Sequence, residues 1–389
     1  MQYIIDNLTG KKKIVIDGRN KYYSSDDFAV YNYAKTYIIA IINQNITEYE
    51  VPANLTGISS TSSASNVFSD CNYLKRFTVE EGNQYFTAVD GVLYNKNKTE
   101  IVAVPLAIEG EVTIPTTITK IGEVYQSTQV GGVSFSNCTQ LTTIHLPEGL
   151  ITIGNSAFSG CSGLTGITIP DSVTVIGRSA FWGCRGLVSV TIGESVASIE
   201  NDAFKGCYKL AEVINRSNLT VEKGSENNGY VGYYAIIVNN EKSDTSIVVN
   251  INDYLFTTID GVNYLMGYAG NERDLVLPDS YNGEQYEIYK YAFYNSDLIG
   301  VVVSDGVIGI GERAFGTCEK LMSVTVGKNV ASIGDNAFNG CSRLVEVINN
   351  SSLNISKGYD KSYIGFNALV VHKGESKIVN KGGFYFITV

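Results

Sequence analysis

Residues 157–177 read Ala-Phe-Ser-Gly-Cys-Ser-Gly-Leu-Thr-Gly-Ile-Thr-Ile-Pro-Asp-Ser-Val-Thr-Val-Ile-Gly, and residues 180–200 read Ala-Phe-Trp-Gly-Cys-Arg-Gly-Leu-Val-Ser-Val-Thr-Ile-Gly-Glu-Ser-Val-Ala-Ser-Ile-Glu. The second stretch restates the first 23 residues further on. The same step separates Cys138, Cys161, Cys184 and Cys207, then Phe135, Phe158, Phe181 and Phe204, then Leu141, Leu164, Leu187 and Leu210. It returns in Phe315 with Phe338, Cys318 with Cys341, and Leu321 with Leu344. A fixed period of this length is the mark of a repeat architecture.

Within one period the spacing Leu-x-x-Ile-x-Ile sustains no 3.6-residue pattern, and its β-branched half alternates. Residues 165–169 and 188–192 therefore read as short strands. Pro52, Pro115, Pro147 and Pro170 each follow such a strand, where a missing donor does little harm. Ala-Phe-x-Gly-Cys is too short for a regular helix and reads as a helical turn that Gly160, Gly183 and Gly206 leave. One such unit cannot enclose its own apolar side chains, so it must stack on a neighbour. Equivalent strands then pair in parallel about 4.8 Å apart, with Phe, Cys and Leu in inward ladders.

The pattern Ile176-Gly-Arg-Ser-Ala180-Phe181-Trp182-Gly-Cys184-Arg-Gly-Leu187, with copies at 153–164, 199–210, 310–321 and 333–344, resembles the BspA-like leucine-rich repeats of bacterial surface and secreted proteins. Asn66-Val-Phe68-Ser-Asp-Cys71-Asn-Tyr-Leu74 looks like a weaker copy. The expected fold is mainly β: a right-handed leucine-rich-repeat β-solenoid of ~23-residue coils with short helical turns and inserted β-hairpins. The resemblance implies an extracellular scaffold that adheres to host or matrix proteins or to other cells, and it carries over no catalytic residue.

Five segments are expected: an N-terminal cap over 1–46, a repeat solenoid over 47–214 with a hairpin insert at about 80–112, an irregular Tyr-rich module over 215–290, further repeats over 291–350, and the start of a second module over 351–389. A larger duplication supports this division. Glu212-Val-Ile-Asn215, Gly224 and Gly232-Tyr-Tyr-Ala-Ile-Ile-Val238 return as Glu346-Val-Ile-Asn349, Gly358 and Gly365-Phe-Asn-Ala-Leu-Val-Val371. The second copy stops at Val389, so the chain is expected to end partway through a hairpin. Asp90-Gly91 and Asp260-Gly261 read as hairpin turns. Lys13 to Gly18 reads as a strand and turn, Ser24-Ser25-Asp26-Asp27 as a cap for a short helix over Phe28 to Ala34, Tyr37 to Ile42 as a strand, and 122–134 as an insertion.

A net charge of −10, from 29 Lys and Arg against 39 Asp and Glu, opposes nucleic-acid binding, which needs a basic face to replace phosphate counterions. Attraction to an anionic membrane is disfavoured for the same reason. No apolar run approaches the roughly 18 residues of a membrane span. Asp6 and Lys11, Lys12 and Lys13 interrupt any stretch of signal-peptide length, though a removed leader leaves no trace.

The seven cysteines share one inward position, where cysteine acts as a small hydrophobe with a weak donor, so free thiols are expected over disulfides or zinc. Only two histidines occur. His145 falls on an outward strand position matched by Thr168 and Thr191, and His372 lies in a Lys/Gly-rich turn; neither accompanies a nucleophile signature. No phosphate-cradling or dinucleotide glycine motif is present, and no cofactor is expected. Glu241-Lys-Ser-Asp244 offers two acids with a lysine between, too few for a calcium loop. Nothing singles out a carboxylate pair for glycoside hydrolysis.

Tyrosine stands out, with 26 against a single tryptophan, and it concentrates in the irregular modules. Packing with a hydroxyl reaching water or backbone explains many of these rings, yet tyrosine is also favoured at interfaces. Trp182 aligns with Ser159 and Lys205, which predicts an exposed indole. Trp182, Tyr208, Tyr230, Tyr233 and His145 are therefore candidate partner-binding residues. Thr143, Gly166, Ser189, Thr168 and Thr191 form an outward small-residue strip that suits either a broad contact or solubility. The expectation is a non-enzymatic binding or adhesion protein, secreted or at the cell surface, with a protein partner, no nucleic acid and no membrane insertion. A structural or self-assembling surface component is the alternative, and a carbohydrate-active enzyme is a third reading.

Overall fold

The β-branched halves of each repeat form two short strands, and each strand pairs in parallel with its copy in the next coil. The structure, a computed structural model, describes residues 16, 17, 19–58, 60–62, 65–68, 70–122, 134–240, 248–270, 272–381 and 384–387. The chain divides into two units, Met1–Asp244 and Thr245–Val389.

In the first unit, Gly166–Thr168, Ser189–Ile192, Glu212–Asn215 and Ile237–Asn239 make one parallel sheet, and Lys120–Ile121, Thr152–Ile153, Val175–Ile176 and Ser198–Ile199 make another. Gly166 lies opposite Ser189 and Ser189 opposite Glu212, so strand register equals the sequence period. Between the strands, each Ala-Phe-x-Gly-Cys stretch forms a run of tight turns. Ser179 enters at a φ of 53° and Gly183 leaves at 69°, while Trp182 N–H donates to the Ser179 carbonyl at 3.1 Å. The left-handed glycine is what turns the chain back toward the next strand. The fold is thus a mainly β solenoid, as the sequence leads one to expect; the described residues hold a single three-residue 3-10 helix, Asn228–Tyr230.

The interior is built of columns. Phe135, Phe158, Phe181 and Phe204 stack with successive ring centroids 5.5, 5.2 and 4.9 Å apart. In the second unit Phe293, Phe315 and Phe338 do the same at 5.0 Å. All seven cysteines are free and buried. Their role is more specific than filling space. The Phe158 carbonyl accepts the Cys161 N–H at 3.2 Å and also the Cys184 thiol of the next coil at 3.1 Å. Cys161 donates likewise to the Phe135 carbonyl, Cys207 to Phe181, Cys318 to Phe293 and Cys341 to Phe315. A thiol bond is weak, but it occupies the second lone pair of a buried carbonyl with a side chain small enough for the column. Burial pushes the Cys161 thiol up to about 12, so it stays protonated and able to donate.

Three expectations at the chain's ends and turns can be compared with the structure. Phe28 to Ala34 is not helical: Ala29–Asn32 is a strand, antiparallel to Tyr23–Ser25 and to Tyr37–Ile41. The Asp26 carboxylate accepts the Phe28 and Ala29 N–H groups at 2.8 and 2.9 Å, which closes a hairpin turn where a helix cap was expected. Both Asp-Gly hairpins form. Asp90 and Gly91 adopt φ of 47° and 79°, and Asp260 and Gly261 adopt 50° and 81°, the doubly left-handed geometry of a type I′ turn. Ile378–Lys381 pairs antiparallel with Phe384–Ile387. The strand expected up to Ile16, residues 123–133 of the insertion expected over 122–134, and the Glu241 to Asp244 turn lie outside the described residues, apart from Ile16 itself.

In the second unit a five-stranded parallel sheet runs Asp274–Val276, Gly300–Val302, Ser323–Val326, Glu346–Asn349 and Val370–His372. One turn of the large duplication is preserved bond for bond. Asn215 Nδ2 donates to the Leu219 carbonyl at 2.7 Å and its Oδ1 accepts from Ser217 Oγ at 2.6 Å; Asn349 repeats both with Leu353 and Ser351 at 2.8 and 2.6 Å. An Asn-x-Ser-x-Leu stretch that closes its own turn explains why the module survives duplication.

Two outcomes follow. Phe181→Ala deletes a fully buried ring between two stacked neighbours and should cost about 3–5 kcal/mol in denaturant unfolding. The seven thiols should resist iodoacetamide at pH 8 in the folded protein and all react after unfolding, as mass spectrometry would show.

Candidate partner-binding surface

The turn that carries each Phe also presents two side chains side by side. Its first residue has a positive φ, and its fourth donates an N–H back to the first residue's carbonyl, so positions i and i+3 share the outer edge. Asp202, at a φ of 58°, there holds Lys205 in an ion pair of 3.2 Å. In other turns aromatic rings take the same two places. Tyr230 and Tyr233 meet at 5.3 Å and 66°, Tyr291 and Tyr294 at 5.4 Å and 71°, and Tyr363 and Phe366 at 5.5 Å and 61°. The backbone bond from the fourth residue to the first is 3.0, 2.9 and 3.2 Å in the three pairs.

Tyr230, Tyr291 and Tyr363 have φ of 69°, 61° and 62°. A left-handed conformation costs a residue with a Cβ about 1–2 kcal/mol, and an edge-to-face ring pair returns about 0.5–1.5 kcal/mol. The two effects nearly balance, which leaves these rings fixed on the surface and does little for stability. Strain of this kind persists where the surroundings over-determine it.

Three of the residues that the sequence singles out come together. Tyr230 contacts Tyr233, Tyr233 contacts Tyr234 at 4.8 Å, and Tyr234 contacts Tyr208 at 5.1 Å. Lys205 Nζ lies over the Tyr230 ring at 5.1 Å. Burial raises the Tyr230 phenol, and a hydrogen bond with Glu226 raises it further, so the hydroxyl stays neutral. Trp182 occupies the turn position of Lys205 one coil earlier, and its residue is 48% exposed. Tyr233 is 40% exposed. His145 is elsewhere: it ends strand Gln140–His145, exposed, with Nε2 2.5 Å from Glu111. The strip of small residues does face outward in register, Gly166 beside Ser189 and Thr168 beside Thr191. Other tyrosines are structural. Tyr281 and Tyr286 are buried against Phe256, and the Tyr286 hydroxyl donates to the Pro278 carbonyl at 2.7 Å.

Sequence reasoning overlooked Tyr363 and Phe366. The signal was present, since the duplication that maps Gly232 onto Gly365 also maps Tyr230 onto Tyr363 and Tyr233 onto Phe366. Phe366 is 52% exposed, and Tyr359, packed on Tyr363 at 5.2 Å, is 70% exposed.

Two acids are buried at equivalent places, Glu212 and Glu346. Glu346 accepts four hydrogen bonds, from Ser376 Oγ at 2.5 Å, the Lys377 N–H at 2.5 Å, Ser323 Oγ at 3.1 Å and His372 Nε2 at 3.2 Å. Burial pushes its pKa up, but these bonds outweigh it and hold the carboxyl below the ordinary glutamate value. Nearby, on the outer face of the five-stranded sheet, lies a groove of about 280 Å³. Among the described residues no group of three or more His, Cys, Asp and Glu is placed to hold a metal ion. No helix among them is long and apolar enough to cross a membrane.

Stacked coils with two parallel strands apiece, a Phe column and a Cys rung define a leucine-rich-repeat solenoid. The BspA-type leucine-rich repeat region matches residues 110–225 and 286–369 in six copies, just over half of the chain, and the protein belongs to that family. Among solved structures it is similar to the pneumococcal vaccine antigen PcpA, at 24% identity over 47% of this chain and 48% of that one, with a TM-score of 0.35. A leucine-rich repeat protein of Eubacterium ventriosum shares 20% identity over 82% of this chain and 63% of its own, with a TM-score of 0.31. A protein of Faecalibacterium prausnitzii described as a leucine rich cell surface protein shares 19% over 91% and 95%, with a TM-score of 0.29. The chain spans about half the length of the first of these structures and under two thirds of the second. No curated protein matches the chain.

Because its indole stands outside the columns, Trp182→Ala should shift the unfolding free energy by no more than about 0.5 kcal/mol, against the several lost at the adjacent Phe181.

Proposed function

We propose that this protein is a non-catalytic scaffold, secreted or held at the bacterial surface, that binds a host, matrix or cell-surface protein through the paired side chains of its turn edge. The observation that carries the reading is the contrast between inside and edge. The columns hardly vary from coil to coil, whereas the i and i+3 places change from Ser179 and Trp182 to Asp202 and Lys205 to Tyr230 and Tyr233. Selection for packing alone explains the uniform columns. The edge bears rigid aromatic rings with polar tips, the side chains that add most contact area for least lost entropy at protein interfaces. The extracellular location rests on family membership. Repetition supports avidity, since several weak contacts on linked coils combine.

The test is surface plasmon resonance of the chain over immobilised fibronectin, laminin, fibrinogen and collagen, with the Trp182→Ala, Tyr233→Ala double variant in parallel. At least one saturable interaction is expected, weakened about thirtyfold or more by the double variant while the melting temperature holds. Absence of saturable binding to every ligand, or equal binding by the variant, would overturn this reading.

A further inference from the structure

After strand Val370–His372 the chain crosses the outer face of the second unit's parallel sheet. Ser376 and Ile378 line the groove there, together with Val302, Thr325 and Ile348, which lie in one register across three strands. Val302 is 39% exposed and Ile348 only 3%. Within this short crossing, two groups bind the same buried carboxylate, Ser376 Oγ and the Lys377 N–H on Glu346, and Ser376 Oγ in turn accepts the Ile378 N–H at 3.0 Å. We propose that residues 372–378 form a strap, latched on Glu346, which covers this apolar groove and is released by acid.

The chemistry of the latch sets its direction. A carboxylate accepts from all four donors at once, whereas a protonated carboxyl gives up acceptor capacity and turns a hydrogen toward groups that are themselves donors. Because the folded carboxyl titrates below its unfolded value, the latch is fully present above about pH 4.3 and is lost as pH falls through the folded value. His372 Nε2 lies 3.2 Å from the carboxylate and completes the set of four partners. The groups facing Glu346 are His372 from the neighbouring strand, Ser323 from the strand on the other side, and Ser376 and the Lys377 N–H from the strap. Lys373, Glu375 and Lys377 carry exposed side chains on the strap itself, and Asp274 stands three strands away in the same column. In the first module, strand Ile237–Asn239 brings Asn239 opposite Ile214 as His372 comes opposite Ile348, so an amide takes the imidazole's register position.

Amide hydrogen exchange on the whole chain reads the latch directly, because the Lys377 N–H is one of its bonds. After correction for intrinsic rates, Lys377 protection should fall roughly tenfold between pH 5 and pH 3 while the Val324 amide of the central strand stays protected. Glu346→Gln should lose that protection already at pH 6. Should this variant also expose Val324, Ser376→Ala serves instead, with Lys377 exchange several-fold faster and Val324 unchanged. The proposal is overturned if Lys377 exchange is flat from pH 5 to pH 3, or if Ser376→Ala leaves it as in the wild type.

Discussion

Five buried phenylalanine carbonyls of this protein, those of Phe135, Phe158, Phe181, Phe293 and Phe315, each meet a thiol from the next coil. The Phe158 carbonyl with the Cys184 thiol at 3.1 Å is the type contact. It recurs between the stacked clean coils at 3.0 to 3.3 Å, and it requires the two coils to be in register. The stacked rings beside it supply the larger energy, since a buried phenylalanine is worth several kcal/mol. Rings alone tolerate sliding, as their separations of 4.9 to 5.5 Å show. The directional thiol contact and the 23-residue strand register do not. Cysteine suits the place because serine would carry a stronger, more costly polar group into the column and alanine would leave the carbonyl half satisfied.

A uniform interior frees the edge to vary. Residues i and i+3 of each turn point outward as a consequence of the same left-handed turn that returns the chain to the next strand. They can be Asp and Lys or two tyrosines without disturbing the columns. The aromatic pairs carry little stability, because ring contact and backbone strain nearly cancel. That balance is what one expects of residues retained for what they meet.

The duplicated module adds a second kind of feature. Asn215 and Asn349 build the same self-closing turn, and Glu212 and Glu346 sit buried at the same strand position. A buried carboxylate survives only where enough donors surround it. In the second copy two of the four donors come from the chain that crosses the sheet, so a single acid ties a covering segment to the face beneath it.

Much of this was legible in the residues themselves. The 23-residue period determined the solenoid, the parallel register, the Phe and Cys columns and the exposed Trp182, because a repeat that cannot bury its own core has one way to do so. Asp-Gly pairs determined two hairpins, since few dipeptides accept two positive φ angles. The segment after Asp26 shows where this stops: the same acidic residue caps a helix or closes a hairpin, and the pairing of Ala29–Asn32 with strands on both sides decides between them. Tertiary structure alone also brought Tyr208, Tyr230, Tyr233 and Tyr234 into one cluster, kept His145 apart from it, and gave Glu346 its four donors. These contacts join positions that share no period, and a linear pattern records only distances along the chain.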